Sequence, residues 1–377
     1  MSNGKVRIAS IFGTRPEAIK MAPIVLKAKS MDEVEQTIIT TGQHDQMLEQ
    51  VLDIFGIIPD IRLHVMKNGE DLNTMMANIM MRVGNILNHV KPDYAIVQGD
   101  TATATASALA AYYNGVKVVH VEAGLRTWDK YDPYPEEANR QIIDDISDVY
   151  LAPTPSAADN LKVTHVPTSQ VTITGNTSID ALSLTEGKDG DGPDVLKNIP
   201  DNHRIVLMTM HRRETQGDRM RKAFEAIRTC VDSHPDVDII FPVHANPIIG
   251  RLAEDVLGDH DRIHLVQPLD LLDMHRVMRA SYFIMTDSGG IQEEAPALDK
   301  PVLVLRDDTE RMEGVRTGAL ELVGVDPEDI VSAFNDLMDN RRHYQSMAKA
   351  DNPYGDGHAA ERTMQAILRD YETRRRP

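Results

Sequence analysis

The chain has 377 residues, which suits two α/β domains better than one, and 41% of them are hydrophobic, so each half can bury a core. Its 58 acidic and 40 basic side chains give a formal charge of −18, which argues against nucleic acid or an anionic membrane as the main partner. A single cysteine, Cys230, excludes an internal disulfide and a zinc site built on several cysteines.

No run of apolar residues approaches the ~18 that a membrane-spanning helix needs. The apolar run at 6–12 is also too short for the core of a signal peptide. We therefore expect a soluble, cytoplasmic protein that is not bound to a membrane.

The first half of the sequence alternates short apolar runs with amphipathic ones. Two stripes at helical spacing cover 47–55 and 72–90, and Gly56 and Lys91-Pro92 close them. The remaining runs are mostly unbroken, as expected of parallel strands that helices cover on both faces. These runs end at Phe12, Thr40, Gln98, Val121, Ala152 and Thr174. The pattern predicts a doubly wound α/β sheet.

The alternation restarts after a polar stretch rich in Gly and Asp at 186–203, which is the best candidate for a linker. Predicted strands in the second half end near Met210, Val243, Val266, Thr286 and Leu305. We therefore predict an α/β protein of two Rossmann-like doubly wound domains with a cleft between them, at 1–178 and 179–356. A last amphipathic run, about 357–377, is expected to pack back on the first domain.

Three motif tests argue against a bound cofactor or metal. The run GDGHAA at 355–360 formally matches a dinucleotide fingerprint, but it follows a turn sequence and not a strand. The chain has no Walker A sequence. The run HVE at 120–122 resembles half of a zinc deaminase signature, but the paired cysteines are missing. We therefore expect neither a nicotinamide cofactor nor a metal.

Ligands of doubly wound sheets bind at the carboxyl ends of the strands, so the residues just after each strand are the candidates for chemistry. After the first strand comes GTRPEAIK at 13–20, where Gly13 allows a sharp turn and a helix starts. That helix start, with Arg15 and Lys20, favours phosphate binding. The alternative is a solvated helix start with a surface pair between Glu17 and Lys20.

Three carboxylates also follow predicted strands or begin a helix. Asp100 and Glu122 come after strands that we expect to lie near one another, and Glu136 opens a helix. Structural alternatives exist, because Asp100 can cap the next helix and Glu136 can pair with Arg140 four residues on. Three acids near one cleft favour acid–base chemistry.

In the second half, a strand end is followed by Ser288, Gly289 and Gly290, whose glycines let backbone N–H groups approach a diphosphate. Glu293 and Glu294 fit the preference for acids in a first helical turn, or they accept hydrogen bonds from ribose hydroxyls.

Basic residues follow other strands of the second half. The run HRRE occupies 211–214, and Arg306 and Arg311 follow the next strand along. The two later arginines are placed to close over phosphates, although Arg311 has Glu310 and Glu313 as neighbouring alternatives. Together these features predict an anion-binding α/β enzyme.

Seven runs of the sequence resemble the motifs of the non-hydrolysing UDP-N-acetylglucosamine 2-epimerases. They are FGTRPEAIKMAP (12–23), HVEAGLRT (120–127), PEEANR (135–140), ITGNT (173–177), HRRE (211–214), TDSGGIQEEAP (286–296) and NPYGDG (352–357). The resemblance covers nearly the whole chain and implies a glycosyltransferase-B-like fold and an isomerase. The implied reaction interconverts UDP-N-acetylglucosamine and UDP-N-acetylmannosamine through elimination of UDP to a 2-acetamidoglucal, followed by re-addition.

The resemblance also implies roles for individual residues. The implied catalytic residues are Asp100, Glu122, Glu136 and His211. The implied substrate ligands are Arg15, Lys20, Ser288, Gly289, Gly290, Glu294 and Arg311. A second, activating UDP-N-acetylglucosamine site would use Gln43, Gln46, Arg212 and His244. A homodimer and a place in cell-envelope polysaccharide synthesis are further implications.

The chain departs from the family pattern at a few positions. It has QGDTAT at 98–103 where the family usually has HGDTTT, and Leu269 and Met274 replace polar and aromatic residues. Glu70 replaces a glutamine of the activating site in some members. We expect none of these changes to touch the proposed acids.

Three other functions stay open on the sequence alone. The first is a 2-epimerase of the same family acting on a modified UDP-sugar. The second is a glycosyltransferase on the same fold, which needs an acceptor site. The third is a nucleotide-sugar sensor without chemistry, against which the intact acids and His211 count.

Overall fold

The computed structural model of the protein describes residues 4–42, 46–65, 70–188 and 192–375. The chain folds into two compact units, Met1–Leu184 with Gly355–Pro377 (unit 1) and Thr185–Tyr354 (unit 2). Among the described residues no helix is both long and apolar enough to cross a membrane.

Unit 1 contains a seven-stranded sheet in the order β3-β2-β1-β4-β5-β6-β7, in which every pair is parallel. Its strands are β1 (Val6–Phe12), β2 (Val34–Thr40), β3 (Ile61–Arg62), β4 (Tyr94–Gln98), β5 (Lys117–Val121), β6 (Val149–Ala152) and β7 (Val171–Ile173). Its helices are α1 (Arg15–Lys29), α2 (Gln46–Phe55), α3 (Leu72–Val90), α4 (Ala102–Tyr113), α5 (Glu136–Ile146), α6 (Pro155–Val163), α7 (Thr177–Leu184) and α16 (Ala359–Arg375). The order reverses between β1 and β4, which is where ligands of doubly wound sheets bind.

The central strands of unit 1 are mostly apolar and buried because helices cover both faces of the sheet. The alanines of α4 are small enough to lie against α3 and α5 and close one face. The last helix, α16, packs against α1 and α7, and Asp180 accepts hydrogen bonds from the backbone N–H groups of Ala359 (3.1 Å) and Ala360 (2.8 Å) at its start. The end of the chain is therefore part of unit 1.

Unit 2 contains a six-stranded parallel sheet in the order β10-β9-β8-β11-β12-β13. Its strands are β8 (Arg204–Thr209), β9 (Val237–Pro242), β10 (Ile263–Val266), β11 (Phe283–Thr286), β12 (Val302–Val304) and β13 (Leu320–Leu322). Its helices are α8 (Asp194–Asn198), α9 (Asp218–Ser233), α10 (Pro247–Leu257), α11 (Leu271–Ala280), α12 (Gly289–Glu294), α13 (Met312–Thr317), α14 (Pro327–Asp339) and α15 (Arg341–Ala348). The order again reverses at the centre, between β8 and β11.

The predicted strand ends agree with the observed ones to within one residue. The sequence does not predict the edge strands β3 and β13, which are two and three residues long and only partly buried. The expected linker at 186–203 contains the short helix α8. Cys230 is buried in α9 and belongs to the core of unit 2.

Candidate active site

The turn from β1 into α1 is a buried, capped helix start. The hydroxyl of Thr14 accepts a hydrogen bond from Glu17 N at 3.4 Å, while Glu17 Oε2 accepts from the backbone N–H groups of Gly13 (2.9 Å) and Thr14 (2.7 Å). Glu17 Oε1 accepts from the Thr101 hydroxyl at 2.5 Å. Burial raises the pKa of Glu17, against the effect of these hydrogen bonds. The alternative of a surface pair with Lys20 is wrong, since Glu17 is only 1% exposed.

Glu122 follows β5 and its carboxylate is enclosed by donors. Its backbone is left-handed (φ 71°), a strained conformation for a residue other than glycine. The carboxylate accepts from Lys20 Nζ (2.5 Å), Asn176 Nδ2 (3.2 Å) and Gln98 Nε2. Lys20, expected as a substrate ligand, therefore lies on Glu122. The expectation that the changed residue Gln98 touches none of the acids is wrong.

Asp100 lies in the loop after β4 and is more accessible. Its side chain is 26% exposed, and Oδ2 accepts from Arg140 Nε at 2.8 Å. Asn139 Nδ2 donates to its carbonyl oxygen at 2.8 Å. The capping alternative is wrong for Asp100, because Thr101 caps α4 by accepting from Ala104 N at 3.0 Å.

Glu136 is the first residue of α5 and is half-buried. The structure gives it no hydrogen bond to the residues that it describes. The expected pair between Glu136 and Arg140 is wrong, because Arg140 Nη1 lies 3.0 Å from Glu137 Oε2. Glu137 is buried and accepts from the backbone N–H groups of Thr127 (3.0 Å) and Trp128 (3.2 Å). Glu137 therefore fixes the preceding loop, and Glu136 is left accessible at the helix start.

A buried charged network joins the loops after β4 and β5. His120 Nδ1 lies 2.6 Å from Asp144 Oδ1 and Nε2 lies 2.8 Å from the carbonyl oxygen of Gly99. Both partners are acceptors, so both ring nitrogens carry protons. Asp144 Oδ2 accepts from Gly124 N at 3.1 Å and pairs with Arg126 at 2.6 Å. Burial opposes its ionisation, yet His120 and Arg126 keep the pKa of Asp144 below its ordinary value.

Sequence reasoning missed this network because it tested the motif at 120–122 only as half of a metal signature. The signal in the sequence was the motif itself. It places His120 inside a buried strand, two residues before the acid Glu122 that follows the strand. No group of His, Cys, Asp or Glu able to hold a metal occurs among the residues at 4–42, 46–65, 70–188 and 192–375.

In unit 2 the neighbouring strands β8 and β11 place His211 beside Asp287. The strands pair in parallel at Thr209 and Thr286, whose hydroxyls lie 2.6 Å apart. His211 Nδ1 lies 2.9 Å from Asp287 Oδ1, and Asp287 Oδ2 accepts from the backbone N–H groups of His211 (2.6 Å) and Arg212 (2.7 Å). Asp287 is fully buried. The sequence includes it in a motif but gives it no role.

The residues expected at the activating site are distributed over both units. In unit 2 the ring of His244 stacks on His211, with ring centres 5.3 Å apart and planes 11° apart, and Arg212 adjoins His211 in the chain. In unit 1 Gln46 is the exposed first residue of α2. Gln43 lies outside the described residues.

Arg311 lies against the start of α12. A Cβ added to Gly289 would come within 2.8–3.0 Å of its guanidinium atoms, so glycine is required for this approach. Arg311 Nε donates to Glu293 Oε1 at 3.1 Å and Nη1 to Glu310 Oε2 at 3.2 Å. A Cβ added to Gly290 meets no protein atom within 4 Å, so the space beside its Cα is open.

Ser288 is the N-cap residue of α12, and its N–H donates to Thr286 Oγ1 at 2.9 Å. Glu293 and Glu294 are the last two residues of this helix, so the first-turn explanation for them is wrong. Glu294 Oε2 lies 3.5 Å from Nε2 of the buried His275. The two side chains form no hydrogen bond, and the sequence did not suggest this neighbour of Glu294.

The remaining two arginines of the expected anion site differ in availability. Arg15 is the first residue of α1, is half-buried, and forms no ion pair within the described part of the chain. Arg306 is 6% exposed and is held by Glu310 at 3.0 Å and Asp308 at 3.5 Å. Arg15 is thus the better candidate for a ligand contact.

Two Rossmann-like sheets, each with ionisable side chains gathered at the carboxyl ends of its central strands, define an α/β enzyme of the nucleotide-handling type. The sequence profile described as UDP-N-acetylglucosamine 2-epimerase matches residues 26–368. A Bacillus subtilis (strain 168) protein of that name is 46% identical over 371 residues, which cover 98% of this chain and 97% of the relative. The chain belongs to the UDP-N-acetylglucosamine 2-epimerase family and is an isomerase.

Solved structures agree with this membership. A Listeria monocytogenes structure, 46% identical, overlaps with a TM-score of 0.93 and covers 98% of each chain. The UDP-N-acetylglucosamine 2-epimerase of Neisseria meningitidis, solved with UDP-N-acetylglucosamine bound, is 38% identical with a TM-score of 0.88, over 97% of this chain and all of that one. The predicted glycosyltransferase-B-like fold class and the family resemblance are both confirmed.

Proposed function

We propose that the protein interconverts UDP-N-acetylglucosamine and UDP-N-acetylmannosamine. The observation that supports this most directly is the pairing of β4 with β5, in register at Gln98 and Val121, which places the loops of Asp100 and Glu122 side by side. The proposal also rests on the relatives' names and on the UDP-sugar bound to the Neisseria meningitidis protein.

The chemistry requires acids near the sugar and cations near the diphosphate. The proton on C2 has no neighbouring carbonyl to acidify it, so a base alone is too weak. Departure of UDP develops positive charge at C1 and makes that proton removable, which yields 2-acetamidoglucal. The proton then returns on the other face and UDP adds back. Asp100, Glu122 and Glu136 are the carboxylates that we propose to act near the sugar, by proton transfer or by orienting a cation.

These three acids differ in what holds them. Asp100 and Glu136 are accessible, whereas Glu122 is 8% exposed and accepts from three donors. We assign direct proton transfer to Asp100 and Glu136, and the orientation of Lys20 beside the sugar to Glu122. In this assignment Lys20 contacts the substrate while it is paired with Glu122, and not as a solvated cation.

The leaving diphosphate and the ribose need their own contacts. The proposed ligands are Arg15, Ser288, Gly289, Gly290, Glu294 and Arg311. The guanidinium of Arg311 over Gly289 and the open space beside Gly290 support this assignment, because a phosphate can approach the backbone closely there and the guanidinium offers donors to its oxygens. His211 is the proposed catalytic group of unit 2.

Replacing Gly290 with alanine separates binding from folding. The new Cβ meets no protein atom within 4 Å, so stability should be unchanged or rise by up to about 1 kcal/mol. If a phosphate oxygen approaches the backbone N–H of Gly290, the affinity for UDP should fall about tenfold, or ~1.4 kcal/mol, in isothermal titration. Gly250→Ala, in α10, adds a methyl group whose nearest neighbour is Val243 Cγ1 at 3.9 Å, an ordinary contact, and this variant should bind UDP normally. Equal UDP affinity in both variants would contradict the diphosphate assignment.

We also propose activation by a second UDP-N-acetylglucosamine at Gln43, Gln46, Arg212 and His244. The stacking of His244 on His211 supports it, because a ligand on His244 would reach the proposed catalytic ring. Initial rates should then depend sigmoidally on substrate concentration. A hyperbolic dependence over the whole range would contradict the proposal.

A homodimer is the proposed assembly. Met81 on α3 and Tyr112 and Tyr113 on α4 are 60%, 56% and 72% exposed, so the faces of these helices carry apolar side chains at the surface of unit 1. Light scattering should give twice 42.0 kDa. A mass of 42.0 kDa at working concentration would contradict the dimer.

The reaction itself is tested in deuterated water. Incubation with UDP-N-acetylglucosamine, without added nicotinamide or metal, should give UDP-N-acetylmannosamine that carries deuterium at C2, as NMR detects. A modified-sugar epimerase would leave this substrate unchanged and incorporate no deuterium. A glycosyltransferase would release UDP only with an acceptor, and a sensor would bind without turnover. Each of these results rejects the proposed function.

A further inference from the structure

We propose that Asp287 is a positioning residue for His211, which fixes the imidazole with its proton on Nδ1 and leaves Nε2 as the reactive nitrogen. The inference rests on the proposed function, in which His211 is catalytic, and deepens it. Asp287 itself does not touch the substrate in this proposal.

The carboxylate of Asp287 cannot turn. It lies directly after β11, is 0% exposed, and its Oδ2 accepts from the backbone N–H groups of His211 (2.6 Å) and Arg212 (2.7 Å). These two bonds hold one oxygen in place, so the other is directed at the ring of His211, where Oδ1 lies 2.9 Å from Nδ1. The ring is not aligned for a linear bond, and such bonds commonly straighten only when the ligand is bound.

The backbone around Asp287 is equally fixed. Its carbonyl oxygen accepts from Arg212 Nε at 3.3 Å, and the preceding Thr286 hydroxyl lies 2.6 Å from that of Thr209 on β8. Hydrogen bonds thus join the ends of the neighbouring strands β8 and β11. A carboxylate held this firmly has the geometry of an orienting group, because it can set the direction of the ring without moving.

The ring of His211 is held on its face as well as on its edge. His244 stacks on it at 5.3 Å, and His244 Nδ1 accepts from Asn246 N at 3.1 Å, which places the proton of His244 on Nε2. The side chain of His211 is still 36% exposed. Asp287 occupies the Nδ1 edge, so Nε2 is the ring nitrogen that does not face this carboxylate.

The carboxylate of Asp287 sets the tautomer of His211 because an ionised carboxylate can only accept a hydrogen bond. Facing Asp287, the neutral ring keeps its proton on Nδ1, and Nε2 is then free to take or return a proton. In Asp287→Asn the amide oxygen can keep both backbone bonds while the NH2 group faces Nδ1. The proton of the ring must then move to Nε2. In serine proteases the matching change lowers kcat about 10⁴-fold for this reason.

Unit 2 also contains a second buried carboxylate that serves as a matched control. Asp238 on β9 is a buried carboxylate, 3% exposed, that holds His203 Nδ1 at 2.6 Å and His264 Nε2 at 2.7 Å. Asp238→Asn therefore breaks buried Asp–His contacts in the same sheet without touching His211. It measures what the loss of such a contact does to folding alone.

The experiment compares both variants with the wild type by kcat, KM, thermal unfolding and the side-chain ¹⁵N spectrum of histidines at alkaline pH, with His211→Asn to assign the signals. We expect Asp287→Asn to lower kcat about 10²–10⁴-fold, with KM little changed, and to move the proton of His211 from Nδ1 to Nε2. Asp238→Asn should keep wild-type kcat. A kcat within threefold of wild type for Asp287→Asn overturns the proposal, as does a loss of kcat with the tautomer unchanged.

The spectrum of the wild-type protein tests the proposal even if Asp287→Asn does not fold. A neutral His211 with its proton on Nε2 rejects the role of Asp287 directly. If His211 carries the expected tautomer but the wild type incorporates no deuterium from solvent, the proposed function fails while the pairing of Asp287 with His211 stands.

Discussion

Asp100→Asn should lower the rate of deuterium incorporation at C2 about 10²–10⁴-fold, because an amide cannot take a proton from carbon. The fold should survive, since the amide oxygen can still accept a hydrogen bond from Arg140 Nε. In the unsubstituted protein this nitrogen lies 2.8 Å from Asp100 Oδ2. UDP affinity should change little, because Asp100 is not among the proposed diphosphate ligands. The measurement is single-turnover deuterium exchange followed by NMR.

The control for this variant lies at the other end of the same strand. Asp93 precedes β4, and its Oδ2 accepts from the backbone N–H of Arg7 at 2.8 Å. Asp93→Asn changes the same functional group at the amino end of the strand, away from the edge where ligands bind. It should exchange deuterium at the wild-type rate. If Asp100→Asn does so too, Asp100 has no part in the chemistry.

Asp144→Ala should destabilise unit 1 by about 3–5 kcal/mol, because it leaves two buried cations without their carboxylate. His120 and Asp144 are at most 1% exposed, and Arg126 pairs with Asp144 at 2.6 Å. Trp128 is the only tryptophan of the chain and belongs to unit 1. Urea unfolding followed by its fluorescence therefore reports on the unit that carries the change.

The destabilisation should depend on pH in one direction. The pKa of Asp144 is lowered in the folded protein, so its ionised form stabilises the fold at all pH values above its ordinary pKa of 3.8. As the pH falls through the lowered folded pKa, that contribution is lost. The gap between wild type and Asp144→Ala should thus be constant near neutral pH and narrow only in acid. A gap that already narrows near neutral pH would mean that an ionisable group other than Asp144 sets the difference.

A nearby carboxylate separates this effect from a general loss of charge. Asp148 lies 3.3 Å from Lys117 Nζ and accepts from Val118 N at 3.1 Å. Burial raises the pKa of Asp148, so its charge is already disfavoured in the folded state. Asp148→Asn should therefore cost at most about 1 kcal/mol. Equal losses of stability in both variants would mean that the network around Asp144 stabilises the fold no more than the contacts of Asp148 do.

Positions of catalytic candidates were predictable because they follow from strand order. Asp100 and Glu122 each come directly after an unbroken apolar run, and parallel strands bring such positions to one edge. The partners of these acids were not predictable. Gln98 was expected not to touch the acids. Because β4 pairs with β5, however, its side chain reaches the carboxylate of Glu122.

Gly13 shows a similar limit. The sequence suggests a glycine needed for a sharp turn, but its φ is not positive. A Cβ at Gly13 would instead lie 2.1 Å from Thr41 Oγ1 and 2.8 Å from Thr103 Oγ1. The glycine is required because the residue after β2 and the first turn of α4 crowd against it, and this crowding depends on residues far away in the sequence.

The amino-acid sequence by itself determined the two doubly wound sheets, the ends of their main strands and the family of this protein, because hydrophobic periodicity and contiguous motifs are local properties. Only the tertiary structure decided which side chains hold the acids and His211: Lys20 and Gln98 at Glu122, Arg140 at Asp100, and Asp287 at His211. These contacts join residues that lie from 24 to 102 positions apart, so no local pattern in the sequence indicates them. Their geometry is set by strand pairing and burial, which exist only once the chain has folded.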